Sequence, residues 1–350
     1  MGSVTANFTS EHPLHPAATE LLVGAFGQGW ADPTKIHRSS RTLNHLLEEA
    51  RATFSTSLGV DPASLHFLGE PSLGFHLGIN GLTKTLTVLT PATSRQDLFA
   101  AISQREATVL SVDSDGSWQL PPFSPDSLLA ASTINLETGS LAPDLTDFSG
   151  SLFIDATTDP RSPLPSNWTT ALWDSKSWSG PQGVGVFAIK DVSRWSNPLP
   201  HNDHRIVPGG VHPALVLASA VALESHLHDC AASVESTRKI NREIRSFLTD
   251  EIGDVDIASP ESAVPHLLSF SLLYIQAEKL VDDMEARGFS LDSGSACMSS
   301  NMEPSHVLAA MGRLTHGNIR LQITPEISLE KTREMLQTLK TLVIEQRSDL

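Results

Sequence analysis

Short apolar runs separated by turns and helical stretches fill the first 190 residues of this chain, and this alternation limits the folds open to it. Each run is short and is bounded by turn residues, which is typical of buried strands. Strands that alternate with helices favour an α/β fold with a mainly parallel sheet. The predicted strands span residues 85–89, 107–112, 128–134, 151–154 and 183–189, after a helix over 37–58 and a short apolar run that ends at Gly69.

The pattern changes after Pro213. A long helical pattern over residues 214–248, which we expect to be broken once, leads into shorter elements. The change predicts a large domain over residues 13–232 and a smaller α+β domain over 233–350 that also includes 1–12. In the smaller domain we expect strands over 267–275 and 319–323 and helices over 277–287, 305–311 and 328–346.

Composition and charge restrict the class of protein and its partners. Apolar residues make up 40% and charged residues 18% of the 350 residues, as in an ordinary soluble enzyme. The formal net charge of −16 argues against nonspecific binding to nucleic acid or to an anionic membrane. The N-terminus lacks the basic start and apolar stretch of a signal peptide, and no apolar run has the ~20 residues of a spanning helix. Two cysteines without a signal indicate the reducing cytoplasm and no structural disulfide.

Cys297 is the candidate nucleophile of this chain. It ends the run Ser-Gly-Ser-Ala-Cys, in which small residues allow the backbone to bend and the thiol to be exposed. The other cysteine, Cys230, lies in an alanine-rich helical pattern. A lone cysteine on a flexible segment predicts a reactive thiol, with an ordinary loop cysteine as the alternative.

Several motifs, in order along the chain, resemble the class V aminotransferase family, specifically its cysteine desulfurases. Residues 291–312 resemble the persulfide-forming loop of that family and the helix that follows it. Asn135 begins the motif Asn-Leu-Glu-Thr-Gly, Asp155 lies in Phe-Ile-Asp-Ala, and Gly180 begins Gly-Pro-Gln-Gly-Val-Gly. The resemblance covers roughly residues 13–345.

The resemblance implies fold type I of the enzymes that use pyridoxal 5′-phosphate (PLP). In this architecture a large domain with a mainly parallel seven-stranded sheet carries a smaller C-terminal domain, and two subunits form a homodimer with the active sites at its interface. The implied activity removes sulfur from L-cysteine and delivers it to an acceptor protein for iron–sulfur or thio-cofactor assembly.

The resemblance also assigns a role to each matching residue. Cys297 would take the substrate sulfur as a persulfide, and Arg320 would bind the substrate carboxylate through two hydrogen bonds. Asp155 would pair with the pyridine nitrogen of PLP and keep it protonated, while Asn135 would bond the ring oxygen. The alternatives are a surface arginine at a strand end, a helix N-cap at Asp155 and a turn residue at Asn135.

The lysine that should hold PLP is displaced by one residue. The family has this lysine three residues before Gly-Pro and a histidine just before the lysine. Aligned without a gap, Ser177 stands at the lysine position and Lys176 at the histidine position. A serine cannot form an imine, so Lys176 serves as the Schiff-base residue only if the backbone accommodates a one-residue bulge.

The turn that binds the cofactor phosphate also departs from the family. The family reads Gly-Ala-Thr-Glu at a helix N-terminus, and this chain reads Gly-Glu-Pro-Ser from Gly69 to Ser72. Pro71 removes a backbone N–H, and Glu70 places a negative charge beside a would-be dianion. Ser72 is the candidate that supplies a hydroxyl to the phosphate.

Other cofactor contacts of the family are replaced as well. No histidine lies near Arg95, where the ring-stacking histidine is expected, and Thr157 and Thr158 replace the glutamine after Asp-Ala. Gly210 aligns with the phosphate-binding threonine that the family takes from the other subunit. The nearby histidines at 201, 204 and 212 are interpreted as exposed loop residues, with a metal site as the alternative.

Three hypotheses follow. The first is an active PLP-dependent cysteine desulfurase in which Lys176 holds the cofactor and Cys297 takes the sulfur. The second is a homologue that no longer binds PLP and acts as a persulfide carrier, a scaffold or a regulatory partner. The third is a PLP lyase or transaminase of another specificity, for which Cys297 is incidental.

Overall fold

The computed structural model describes residues 6–27, 31–33, 35–83, 87–200, 206–207, 210–294 and 304–348. Cys297, the histidines at 201 and 204, and the predicted start of the strand at residue 85 lie outside this part of the chain. Among the described residues, no helix combines the length and the apolar character needed to cross a membrane.

A seven-stranded sheet forms the centre of the first two thirds of the chain. Its order is β2-β8-β7-β6-β5-β3-β4, with parallel pairing from β4 to β7 and antiparallel pairing of β8 with β7 and β2. The expected mainly parallel sheet is therefore confirmed. The strands are β2 (Leu65–Leu68), β3 (Thr87–Pro91), β4 (Ala107–Leu110), β5 (Ser127–Ser132), β6 (Ser151–Asp155), β7 (Thr170–Asp174) and β8 (Gly185–Ile189).

Helices cover both faces of this sheet. One core contains Phe54 of α2 and the first half of α5, and the other contains Phe75 of α3 and Leu98 of α4. A side chain at Gly74 or Gly78 of α3 would collide with Leu172 of β7 or Phe153 of β6, because a Cβ there would lie 2.3 Å from them. The helices are α1 (Pro16–Gly27), α2 (Arg38–Leu58), α3 (Leu73–Asn80), α4 (Gln96–Ile102) and α5 (Pro213–Phe247).

A second, four-stranded antiparallel sheet of order β12-β13-β10-β9 is formed mainly by the last third of the chain. A parallel pair of β1 with β11 lies beside it, and Phe8, just after β1, packs into the same core. The helices α6 and α8 cover this core together with the second half of α5. These elements are β1 (Ala6–Asn7), β9 (Val255–Ile257), β10 (Leu267–Leu272), α6 (Ala277–Glu285), β11 (Phe289–Ser290), β12 (Asp292–Ser293), α7 (His306–Ala310), β13 (Asn318–Gln322) and α8 (Leu329–Ser348).

The long helix α5 joins the two sheets, and the expected break in it is wrong. Pro213 lies in its first turn, where a missing N–H is tolerated, and the His212 ring nitrogen accepts a hydrogen bond from the Ala214 N–H. The helix continues without interruption to Phe247 and then widens into one π-helical turn over Leu248–Ile252. Its two halves bury side chains in different cores, so one continuous helix contributes to both. The domain boundary near residue 232 stays a prediction.

Candidate active site

Lys176 lies on a short 3-10 turn, Ser175–Trp178, that follows β7. The Asp174 carboxylate caps this turn by accepting a hydrogen bond from the Lys176 N–H at 3.0 Å. Trp178 is fully buried, and its indole N–H donates to the backbone oxygen of Ser219 on α5 at 3.1 Å. The buried indole fixes the turn, while the Lys176 side chain remains exposed.

A cavity of about 260 Å³, which we call the Lys176 pocket, opens beside this turn. It lies at the carboxyl ends of β6 and β7 and at the start of α3, as ligand sites in α/β folds usually do. Charged side chains of both signs line it. Its lining residues are Glu70, Pro71, Ser72, Phe75, Arg95, Asp97, Thr157, Asp174, Lys176, Gln182 and Gly183.

Ser177 faces away from the Lys176 pocket. Its hydroxyl donates to the backbone oxygen of Asp174 at 2.8 Å, and the residue lines a different cavity. Of the two residues that could occupy the family's lysine position, Lys176 is thus the one that shares a pocket with Ser72.

Asp155 is the last residue of β6 and is completely buried. One of its carboxylate oxygens accepts from the N–H and the hydroxyl of Thr157, at 2.9 and 2.6 Å, and the other accepts from Ser132 at 2.7 Å. Thr157 in turn accepts a hydrogen bond from Arg95 at 2.9 Å. Asp155 therefore does not line the Lys176 pocket but is linked to it through the Thr157 hydroxyl.

Arg95 is a residue of this pocket that the sequence motifs do not identify. Its guanidinium bonds Thr157, lies 3.8 Å from the Asp97 carboxylate and stands over the Phe75 ring at 5.8 Å from the centroid. Arg95 and Thr157 are 62 positions apart in the sequence, so no local sequence pattern predicts their contact.

Asn135 lies outside the Lys176 pocket and organises a turn. Its amide nitrogen donates to the Thr93 backbone oxygen at 2.9 Å, and its side-chain oxygen accepts from the N–H groups of Glu137 and Thr138. This geometry is that of the alternative interpretation, a turn residue. Its role in binding the cofactor ring stays a prediction.

Arg320 lies on β13 in a separate small cavity of about 50 Å³. Its guanidinium donates to the backbone oxygen of Ser293, at the strand end that leads towards Cys297. Glu137 and Asp292 line the same cavity. Burial raises the pKa of Glu137, although the Arg320 charge and a hydrogen bond from Ser305 oppose this rise. The sequence motif contains Glu137, but its position next to Arg320 emerges only from the fold.

A larger cavity of about 320 Å³, which we call the Cys230 cavity, lies between α5 and the antiparallel sheet. In it the Cys230 sulfur lies 3.3 Å from the His226 ring nitrogen. Arg161 forms a two-pronged ion pair with Asp159 and contacts the buried ring of His266 at 3.2 Å. These residues come from segments far apart in the chain, which is why the sequence does not reveal the cluster.

Three partly buried histidines make stability depend on pH. Burial lowers the pKa of His66, His226 and His266 to about 4 each. The unfolded chain takes up these protons near pH 6.5 and the folded chain only near pH 4, so stability is complete above 6.5 and falls as the pH drops towards 4. Between pH 7 and 5 we expect a loss of on the order of 2 kcal/mol per histidine in the free energy of unfolding.

Urea unfolding at pH 7 and pH 5 measures this loss. The variant His226→Gln should show a smaller difference between the two pH values than the parent chain. The control is His45→Gln, because His45 is exposed on α2 and the variant should keep the full difference. An unchanged difference in His226→Gln would contradict the assignment of a buried neutral imidazole.

Comparisons with known proteins agree with this architecture. No family model matches the chain. It is 26% identical to the cysteine desulfurase IscS of Dictyoglomus turgidum, over 97% of this chain and 94% of that relative. It is 22% identical to a cysteine desulfurase of Nostoc, over 92% of this chain and 89% of that relative.

Solved structures share the fold at low sequence identity. A NifS-like protein superposes with a TM-score of 0.86 at 18% identity and covers 97% of this chain and 99% of its own. The apo cysteine desulfurase of Thermococcus onnurineus gives a TM-score of 0.82 at 16% identity, over 97% and 94% of the two chains. The chain is therefore similar over nearly its whole length to cysteine desulfurases, and it has the fold of the NifS-like structures.

Proposed function

We propose that this chain is a PLP-dependent cysteine desulfurase that transfers sulfur from L-cysteine to Cys297 and then to an acceptor protein for iron–sulfur or thio-cofactor assembly. The observation that carries the proposal is the direction of Lys176, which lines the pocket beside the Thr157–Asp155 pair while Ser177 lies elsewhere. Relatives that are named cysteine desulfurase and that match nearly the whole chain support it.

The residues around the Lys176 amine fit PLP in part, because Asp155 does not itself line the pocket. Lys176 supplies a primary amine in a 260 Å³ cavity, and Asp155 supplies a buried carboxylate linked to that cavity by a hydroxyl. When bound, PLP would supply an electron sink for bond cleavage at the substrate amino acid. Lys176 would hold the cofactor, and the fixed negative charge of Asp155 would keep a proton on a ring nitrogen.

The remaining roles belong to Arg320 and Cys297. Arg320 would bind the substrate carboxylate, because its planar guanidinium matches the two oxygens of that group. Cys297 would accept the substrate sulfur, since a thiolate is the nucleophile that this transfer requires. A homodimer, expected from the family resemblance, and a cytoplasmic location, expected from the two cysteines, are part of the proposal.

A second candidate function is a desulfurase-like protein that does not hold PLP and acts as a persulfide carrier or regulatory partner. One observation favours it: Glu70 lies at the start of α3, where the cofactor phosphate is expected, and a second carboxylate, that of Asp174, lines the same pocket. A violet absorption band that needs both the chain and PLP and differs from that of free PLP would support the first function. A spectrum equal to that of free PLP would leave the second.

The test of the proposed function compares the two cysteines. In the presence of PLP, L-cysteine and a thiol reductant that releases persulfide sulfur as sulfide, Cys297→Ser should keep the violet absorption band and lower the rate of sulfide release by a factor on the order of 10³ or more, because serine is a poor acceptor of sulfur. The matched control is Cys230→Ser on α5. Burial raises the pKa of Cys230 to about 11, so its thiol stays protonated and unreactive, and this variant should retain sulfide release.

Two outcomes would contradict the assignment. Equal sulfide release by Cys297→Ser and the parent chain would point to a PLP enzyme of another specificity. Loss of release in Cys230→Ser alone would place the reacting sulfur on α5.

A further inference from the structure

The start of α3 is an anion-binding feature that the chain fills with its own carboxylate. Backbone N–H groups at a helix N-terminus and the helix dipole attract negative charge. Here one oxygen of the Glu70 carboxylate accepts from the N–H of Ser72 at 3.1 Å and from its hydroxyl at 3.0 Å. Pro71 between them has no N–H to offer. The donors that a phosphate would use are thus already bonded to Glu70.

A second carboxylate, that of Asp174, faces the same pocket from the end of β7. It accepts the Lys176 N–H at 3.0 Å and so holds the other backbone donor beside the lysine. Burial raises the pKa of Asp174, and the nearby Glu70 charge adds to the rise, while Arg95 and Lys176 oppose it. The two carboxylates line the same pocket, and the Glu70 charge is close enough to act on Asp174.

Of the two cations that line the pocket, Arg95 is engaged by other groups. Arg95 donates to Thr157 at 2.9 Å and lies 3.8 Å from Asp97. Lys176 remains as the amine that the proposed function assigns to the cofactor aldehyde. A phosphate dianion would therefore meet two carboxylates at the place where its negative charge needs donors and cations.

We infer that Glu70 and Asp174 make the Lys176 pocket select against a phosphate dianion, so that PLP binds weakly and exchangeably while unphosphorylated pyridoxal is affected much less. This inference rests on the proposed function, because it takes the Lys176 pocket as the place where the pyridine aldehyde binds. Pyridoxal carries a neutral hydroxymethyl group in place of the phosphate ester. Pyridoxal binding therefore brings no phosphate charge close to the carboxylates of Glu70 and Asp174.

The test is the dissociation constant of PLP and of pyridoxal, measured by absorbance and tryptophan fluorescence. Glu70→Gln and Asp174→Asn each remove one negative charge and keep the size of the side chain. Each should tighten PLP binding about tenfold, equivalent to about 1.4 kcal/mol, and the double variant should tighten it further. Pyridoxal binding should change by less than about threefold, since it lacks the opposing charge.

Two controls isolate charge from other effects. Glu70→Asp keeps the negative charge and should show no gain in PLP affinity. Glu106→Gln removes one charge from an exposed residue outside the pocket and should also show no gain. Thermal unfolding of each variant verifies that the chain is folded.

The outcomes separate this inference from the proposed function. Unchanged PLP affinity in Glu70→Gln and Asp174→Asn would overturn the inference, even if the parent chain binds PLP tightly and releases sulfide. An equal gain for pyridoxal would overturn it as well, because the effect would not depend on phosphate charge. PLP binding that appears only in the double variant would support the inference and refute PLP-dependent catalysis by the natural chain.

Discussion

Replacing Lys176 by alanine is expected to abolish the violet absorption band of PLP-treated protein and to lower sulfide release from L-cysteine by a factor on the order of 10³ or more. The reason is that Lys176 places a primary amine in the 260 Å³ pocket, next to the hydroxyl that bonds Asp155. Absorbance after PLP addition and a sulfide assay measure the two effects.

Ser177→Ala is the matched control for this variant. Ser177 lies on the same turn, but its hydroxyl bonds the backbone of Asp174 and its side chain lines the Cys230 cavity. The control should therefore retain both the absorption band and sulfide release. Equal loss in the two variants would mean that the turn, and not the amine, was damaged.

Replacing Trp178 by alanine is expected to cost about 3–5 kcal/mol in the free energy of unfolding. The indole is fully buried, packs edge-on against Phe54 at 6.4 Å between ring centroids, and donates its N–H to the Ser219 backbone. Its removal would leave a large cavity and break the hydrogen bond that ties the Lys176 turn to α5. Urea unfolding measures the loss, and PLP affinity should fall in the same variant because the turn loses its anchor.

Trp168→Ala gives the comparison for this prediction. Trp168 is half-buried and its ring faces the Lys190 ammonium at 5.6 Å from the centroid. Its loss should cost about 1–2 kcal/mol and leave PLP affinity unchanged. A Trp178→Ala variant no less stable than Trp168→Ala would contradict the anchoring role of the indole.

The sequence predicts the fold well where an element is long or strongly periodic. The helix expected over residues 37–58 is α2, Arg38–Leu58, because its apolar stripe faces the core and Gly59 ends it in the left-handed conformation. The strands expected over 151–154 and 183–189 agree with β6 and β8 within two residues. These runs are apolar and fully buried, so their pattern is unambiguous.

The elements that the sequence misses have weaker local signals. The strand β7, Thr170–Asp174, has five residues and follows a Trp-containing turn, so it does not stand out as a run. The sequence predicts one break in the helix over residues 214–248, yet α5 is continuous because packing against two cores supports each half. Tertiary contacts override local propensity in both cases.

Only part of the candidate site, too, could be predicted from the sequence. The strand-end position of Asp155 and the unusual Glu70-Pro71-Ser72 turn can be read from the sequence. The direction of Lys176 cannot, because it depends on the burial of Trp178 and on the 2.7 Å contact between the hydroxyls of Ser175 and Ser219, which are 44 residues apart. A one-residue ambiguity in a tight turn is decided by such distant contacts.

The central claim, that the Lys176 amine holds PLP, has a direct measurement. Borohydride reduction of the PLP-treated chain, followed by proteolysis and mass spectrometry, locates any lysine that has formed a covalent link with the aldehyde. The account predicts a pyridoxyl group on the peptide that contains Lys176. A label on other lysines, such as Lys190 or Lys239, with none on Lys176 would contradict it.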